Sequence, residues 1–149
     1  MIIVVGGNAR GVGKTTLICA IIRAFPQGQW RALKVTPHDH LKESGDTQRF
    51  RAAGAIEAYL RSVAHLPALE TGNWVIESNR ILHLLTPDAY IFIQATHPPD
   101  IKPRDRWHLE QAAIILRDWP VSEELPPPVS SLIKRLFEPI KTSDATAWK

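Results

Sequence analysis

The 149-residue sequence predicts an α/β fold in which a mainly parallel sheet is flanked by helices. Two observations carry this. Strand-like runs at 2–5, 30–36, 74–77 and 89–95 are interleaved with helical stretches at 14–25, 46–53 and 104–111. The first run, Ile2-Ile3-Val4-Val5, is short and continuously apolar, as suits a central parallel strand covered on both faces.

The elements follow in order. In residues 14–25, Leu17, Ile18, Ala20, Ile21, Ile22, Ala24 and Phe25 leave little polar face, so this helix is largely buried; Pro26 and Gly28 end it. Trp30 to Thr36 reads as a strand stopped by Pro37, and a polar loop runs on to Gly45. Asp46 to Ala53 is helical, with Gly54 placed to terminate it. Ile56 to Val63 alternates in part and is assigned to a short strand. Trp74 to Glu77 is a strand that ends on a carboxylate. Asn79 to Leu85 is expected as a short helix, Ala89 to Ala95 as a buried strand, Arg104 to Gln111 as helix and Ala112 to Leu116 as the last strand. Five of the twelve prolines lie beyond Arg117, three of them consecutive at Pro126 to Pro128. Residues 120–128 are therefore expected as an extended linker, ahead of a helix at Val129 to Phe137 and a frayed end beyond Pro139.

Bulk properties narrow the function classes. The net charge of +3 is mildly basic and does not by itself argue for nucleic acid; phosphate ligands suit it equally. The single cysteine, Cys19, has no partner for an internal disulfide and reads as a buried apolar residue. No apolar run approaches membrane-spanning length, and Met1 leads straight into a core strand with no basic segment before it, so a cytoplasmic protein with no membrane partner is expected.

The strand at 2–5 runs into Gly6-Gly7-Asn8-Ala9-Arg10-Gly11-Val12-Gly13-Lys14-Thr15-Thr16 at the mouth of the first helix. This is the phosphate-binding P-loop arrangement, which predicts a P-loop NTPase-like three-layer sandwich. Backbone N–H groups of Asn8, Ala9, Arg10, Gly11, Val12 and Gly13 are expected to wrap a phosphate chain, with the helix dipole behind them. Lys14 supplies an ammonium for the β- and γ-phosphates, Thr15 a hydroxyl for Mg²⁺, and Thr16 a hydrogen bond to the α-phosphate. Asn8 stands where the full pattern has glycine. Asn tolerates positive φ better than other side chains, and Gly6 and Gly7 adjoin it.

In parallel sheets ligands bind at the carboxyl ends of the strands. That edge collects the P-loop, Pro37-His38-Asp39-His40, Glu77-Ser78-Asn79 and the stretch from Thr96 to Asp100. Glu77, an acid at the end of an apolar strand, is a candidate second magnesium contact, direct or through water. Asp39 is a candidate Mg²⁺ or water-orienting group; its neighbours His38 and His40 lack the second ligand pair of a structural zinc site. Asp46 suits a helix N-cap and, equally, a metal neighbourhood. Arg10 either leans over the γ-phosphate or is solvated, and Arg49 and Arg51 are either anion contacts or solvent-facing charge. Lys102, Arg104 and Arg106 read as a solvated basic turn, and Trp107, His108 and Trp119 as packing. No guanine-reading Asn/Thr-Lys-x-Asp stretch occurs, and Ala9 stands where a deviant P-loop has its signature lysine, so GTP and ATP both stay open.

Three blocks resemble the MobB family of molybdopterin-guanine dinucleotide biosynthesis adaptor proteins. They are Gly-Val-Gly-Lys-Thr-Thr-Leu at 11–17; Leu33-Lys34-Val35-Thr36-Pro37-His38-Asp39-His40 with Gly45-Asp46-Thr47 and Arg51-Ala52-Ala53-Gly54-Ala55; and Val75-Ile76-Glu77-Ser78-Asn79, where those adaptors usually read Val-Glu-Gly. Together they cover roughly residues 1–80. The shift in composition after Arg117 divides the chain into an expected nucleotide-binding domain at 1–119 and a Pro-rich extension at 120–149 packed on it or trailing from it. The resemblance implies a slow, Mg²⁺-dependent GTPase or NTPase linked to molybdenum cofactor biosynthesis, with Lys14, Asp39 and Glu77 catalytic and Thr15, Asp39, Asp46 and Glu77 around the metal. Its expected partners are a purine nucleoside triphosphate, a cofactor-biosynthesis enzyme and a second copy of the chain; nucleic acid is not among them. The alternatives are an ATP-dependent small-molecule kinase or synthetase, and a nucleotide-switched adaptor with negligible turnover.

Overall fold

A computed structural model of the chain describes residues 1–37, 45–97 and 103–138. His38, Asp39, His40, Asp100 and Lys102 lie outside the described residues. Six strands, β1 (Ile2–Gly7), β2 (Arg31–Thr36), β3 (Glu57–Ser62), β4 (Trp74–Glu77), β5 (Ala89–Gln94) and β6 (Ile114–Arg117), form one sheet in the order β3-β2-β4-β1-β5-β6. Every pairing is parallel. Among the described residues four α-helices accompany it: α1 (Lys14–Ala24), α2 (Gly45–Ala53), α3 (Pro103–Gln111) and α4 (Pro127–Phe137). No helix among the described residues is long and apolar enough to cross a membrane.

The strand sequences explain the layering. Alternate side chains of a strand point to opposite faces, so Ile3, Val5, Val75 and Ile91 join one apolar cluster while Val4, Trp74, Ile76 and Phe92 join another. The first cluster is closed by α1, α2 and α4. The second is closed by Leu109 of α3 and by Ile81, Leu82 and Leu85 after β4. A sheet buried on both faces reads as continuous apolar runs, which is why β1, β4 and β5 show no polar alternation.

Local signals set the ends. Helix α2 stops where Gly54 takes φ +117°; its N–H bonds Arg51 O and the Ala55 N–H bonds Phe50 O, a Schellman arrangement. The helix expected at Asn79 to Leu85 is instead one 3₁₀ turn at Ile81–His83. Ser78 Oγ accepts the Arg80 and Ile81 N–H groups at 3.0 and 3.1 Å and starts the turn. Only Ile81 of the turn is buried, and Pro87 disfavours helical geometry at Thr86, so no second turn follows.

The Pro-rich stretch is shorter as a linker than expected, because α4 begins inside it. Proline lacks the N–H that a first helical turn leaves unused, so Pro126 to Pro128 fit the helix start. Val129 and Ile133 of α4 are fully buried, and Phe137 meets Phe25 and Trp30 with ring centroids 5.9 Å apart in each case. The helix is thus a structural member of the core around α1.

Candidate functional site

Because all strands are parallel, the ends of β1, β2 and β4 share one edge. A cleft of about 740 Å³ opens there, lined by residues of the glycine-rich loop, α1, β2, α2 and β4. Its position follows from topology. From β1 the chain leaves through α1 toward β2 on one side, and from β4 it crosses to β5 on the other, so the two connections diverge above neighbouring strands.

The loop between Gly7 and Lys14 makes its turns at Gly11 and Gly13, with φ of 72° and 105°. Gly13 also has no room for a side chain: a Cβ there would lie 2.7 Å from the Trp119 ring. Gly13 O accepts the Leu17 N–H at 2.8 Å and begins α1. No side chain caps α1, and its first turn holds no acid. The N–H groups of residues 9–13 find no backbone acceptor among the described residues. A run of free N–H groups at an uncapped helix start is a receptor for an anion.

Asn8 departs from expectation. Its φ is not positive, and its side chain points away from the cleft to the end of β5. Asn8 Nδ2 donates to Ala95 O at 2.9 Å, and Ala95 N–H donates to Asn8 Oδ1 at 2.8 Å. Its own N–H donates to Ile93 O at 3.3 Å. Asn8 therefore fastens the loop rather than offering an amide to a ligand. Asn79 does the same on the other side of β1, accepting the Gly7 N–H at 2.9 Å and donating to Gly7 O at 2.7 Å.

Beyond the loop, four polar side chains meet. Glu77 at the end of β4 is 6% exposed, and its Oε2 accepts the Thr15 hydroxyl at 3.0 Å. Its Oε1 lies 3.8 Å from Lys34 Nζ. The same ammonium donates to Asp46 Oδ2. Sheet register is the reason: Lys34 of β2 and Val5 of β1 both flank Glu77. Burial pulls the Lys34 pKa down, but the hydrogen bond to Asp46 and the charges of Glu77 and Asp46 outweigh it, so the ammonium is held above its ordinary value. Asp46 sits in the first turn of α2, where its charge favours the helix dipole, and it spends its carboxylate on Lys34.

Thr15, Asp46 and Glu77 line the same cleft, Thr15 bonded to Glu77 and Asp46 linked to it through Lys34. Thr15, Glu77 and Asp46 form a hard-oxygen set of the kind that suits Mg²⁺, which keeps several of its waters. Among the described residues no group of three or more His, Cys, Asp or Glu side chains is placed to hold a metal. Thr16 accepts a hydrogen bond from Arg49 Nη2 at 2.9 Å. Arg10, Lys14, Lys34, Arg49 and Arg80 line the cleft against the carboxylates of Asp46 and Glu77, so the described lining carries positive charge.

Trp119 lies against the loop from behind. Asp118, at φ 47°, accepts Thr96 N–H at 2.8 Å and the Thr96 hydroxyl, which ties β6 to β5 and turns Trp119 onto Gly13. Those two hydrogen bonds also hold the Asp118 carboxyl below its ordinary range. His108 is buried far from such chemistry, hydrogen-bonded to Tyr90 at 2.9 Å and stacked on Phe92.

Lys34, Asn79 and the fastening role of Asn8 are what sequence reasoning missed. Lys34 did leave a signal, a lone charge inside Ala32-Leu33-Lys34-Val35. Set against family models, curated proteins and solved structures, the chain matches none.

Proposed function

We propose that this chain is a Mg²⁺-dependent purine nucleoside triphosphate-binding protein of the P-loop type, and a slow NTPase. One observation carries the reading: the Thr15 hydroxyl, on the uncapped first turn of α1, is held 3.0 Å from the buried Glu77 carboxylate. A glycine-rich turn with no ligand has no need of that pairing beside a run of free N–H groups.

In this reading the N–H groups of residues 9–13 and the Lys14 ammonium bind the phosphate chain. Thr15, Glu77 and Asp46 hold Mg²⁺, which when bound neutralises phosphate charge. A carboxylate, Asp39 or Glu77, is proposed to orient the attacking water or the metal. GTP and ATP are both admitted. A place beside molybdenum cofactor assembly is supported by the resemblance of residues 1–80 to the MobB adaptors, as are a biosynthetic enzyme partner and a second copy of the chain; a cytoplasmic setting is part of the same proposal.

Calorimetric titration with non-hydrolysable GTP and ATP analogues, with and without Mg²⁺, tests the proposal. Mg²⁺-dependent binding of at least one analogue is expected. Lys14→Ala should weaken it roughly 10- to 100-fold, the worth of a charge-assisted phosphate contact. Undiminished affinity in Lys14→Ala, or no binding to the parent chain, refutes it.

A further inference from the structure

Among the described cations that line the cleft, Lys34 is the one held in ion pairs with carboxylates. Lys34 Nζ lies between Asp46 and Glu77, the two carboxylates assigned above to the metal. The Glu77 side chain is 8% exposed, and the side chains of Lys34 and Asp46 are 30% and 25% exposed. A carboxylate as buried as Glu77 requires a compensating cation or donor. Thr15 satisfies one of its oxygens and Lys34 faces the other.

We propose that Lys34 is a built-in counter-ion, holding the metal position until a polyphosphate arrives, so that the divalent cation enters with the nucleotide and not before it. The inference rests on the nucleotide reading above and adds an order of binding to it.

The physical argument is one of charge. In the cleft without ligand, a divalent cation gains the two carboxylates only by displacing an ammonium that already neutralises them. Among the described residues that line the cleft, the displaced ammonium then has no further acid to pair with, and Arg10, Lys14 and Arg49 line the same cleft. Free Mg²⁺ is therefore held weakly. A triphosphate changes the balance, because its oxygens give Lys34 a new partner as the metal takes the old one. The stem of Lys34 allows this: it leaves a strand end, its head lies in the cleft, and an ammonium on four carbons redirects its donors readily.

The test uses metal alone on the full chain, so nucleotide binding is not its readout. Mn²⁺ replaces Mg²⁺, and affinity is read by electron paramagnetic resonance and by calorimetry. The parent chain should bind Mn²⁺ weakly, with Kd above about 1 mM. Lys34→Met and Lys34→Gln should each bind it about tenfold tighter or more, because one ammonium beside two carboxylates is gone. Each should also melt lower than the parent without metal and recover with it. Equal Mn²⁺ affinity in the parent and either variant overturns the proposal. So does tight Mn²⁺ binding by the parent chain, a result that does not depend on the variants folding. A parent chain that binds no nucleotide analogue would refute the proposed function and still leave this metal comparison to decide the role of Lys34.

Discussion

Replacing Asn79 with Ala removes both hydrogen bonds that end on Gly7, at 2.9 and 2.7 Å. The two groups belong to the last residue of β1, immediately before the loop that frames the cleft. Gly7 is itself buried, so its N–H and C=O do not simply exchange a side chain for water. Each bond contributes about 1 kcal/mol net, and a stranded buried group costs more, which sets the loss at about 2 kcal/mol. For a chain of this size, 2 kcal/mol lowers Tm by about 4–8 °C. Scanning calorimetry of Asn79→Ala against the parent chain reads this directly. Asn79→Asp sharpens the test, since it keeps an acceptor for the Gly7 N–H but sets a carboxylate oxygen against Gly7 O in place of the donor; it too should melt below the parent. An Asn79→Ala protein that melts within about 1 °C of the parent would refute the fastening role.

Other outcomes follow from the same geometry. Ile133→Ala should destabilise the protein by about 2–5 kcal/mol in denaturant unfolding, as a fully buried contact of α4 with the core, while leaving analogue affinity unchanged once folded. Gly13→Ala should both lower Tm and weaken analogue binding, because φ is 105° and the added methyl meets the Trp119 ring; binding at parental strength would show that Gly13 is replaceable. Burial raises the Cys19 thiol above its ordinary 9.0, against the lowering effect of Arg49 and Arg23. Its contribution to stability is therefore complete below pH 9.0 and is lost as pH rises through the folded value, and a disulfide reagent at pH 8 should label Cys19 far more slowly in the native protein than in urea.

How much of this was legible in the sequence depended on the range of the interaction. The glycine-rich turn and the acid closing β4 are local patterns, and the parallel architecture places them on one edge without further information. The meaning of Lys34 is not local. It depends on β2 lying beside β4 in the register that sets Lys34 against Glu77, and nothing in Ala32-Leu33-Lys34-Val35 specifies that neighbour. The helix expected at Asn79 to Leu85 failed for a related reason. Its residues have helical character, but Ser78 starts only one turn and Asn79 is tied to Gly7, 72 positions away in the chain. The three prolines suit an extended linker and a helix start alike, and only the core face awaiting Val129 and Ile133 decides between those conformations.

The substitution at Asn8 follows from the same long-range logic. A glycine in that position is expected to supply a left-handed turn, yet here Asn8 lacks positive φ and the turns fall at Gly11 and Gly13. Asn8 acts through its carboxamide, which pairs with both backbone groups of Ala95 much as a strand residue would. Asn79 pairs in the same manner with Gly7. Two carboxamides thus carry the hydrogen bonding of the sheet past the ends of β1, β4 and β5, one on each side of the loop. The consequence is that the first residue of the loop is held by side-chain pairing while residues 9–13 keep their N–H groups free of backbone acceptors among the described residues. Conformational freedom at position 8 is unnecessary when the strand end is fastened on both sides, so the departure from glycine is compatible with a loop that binds phosphate.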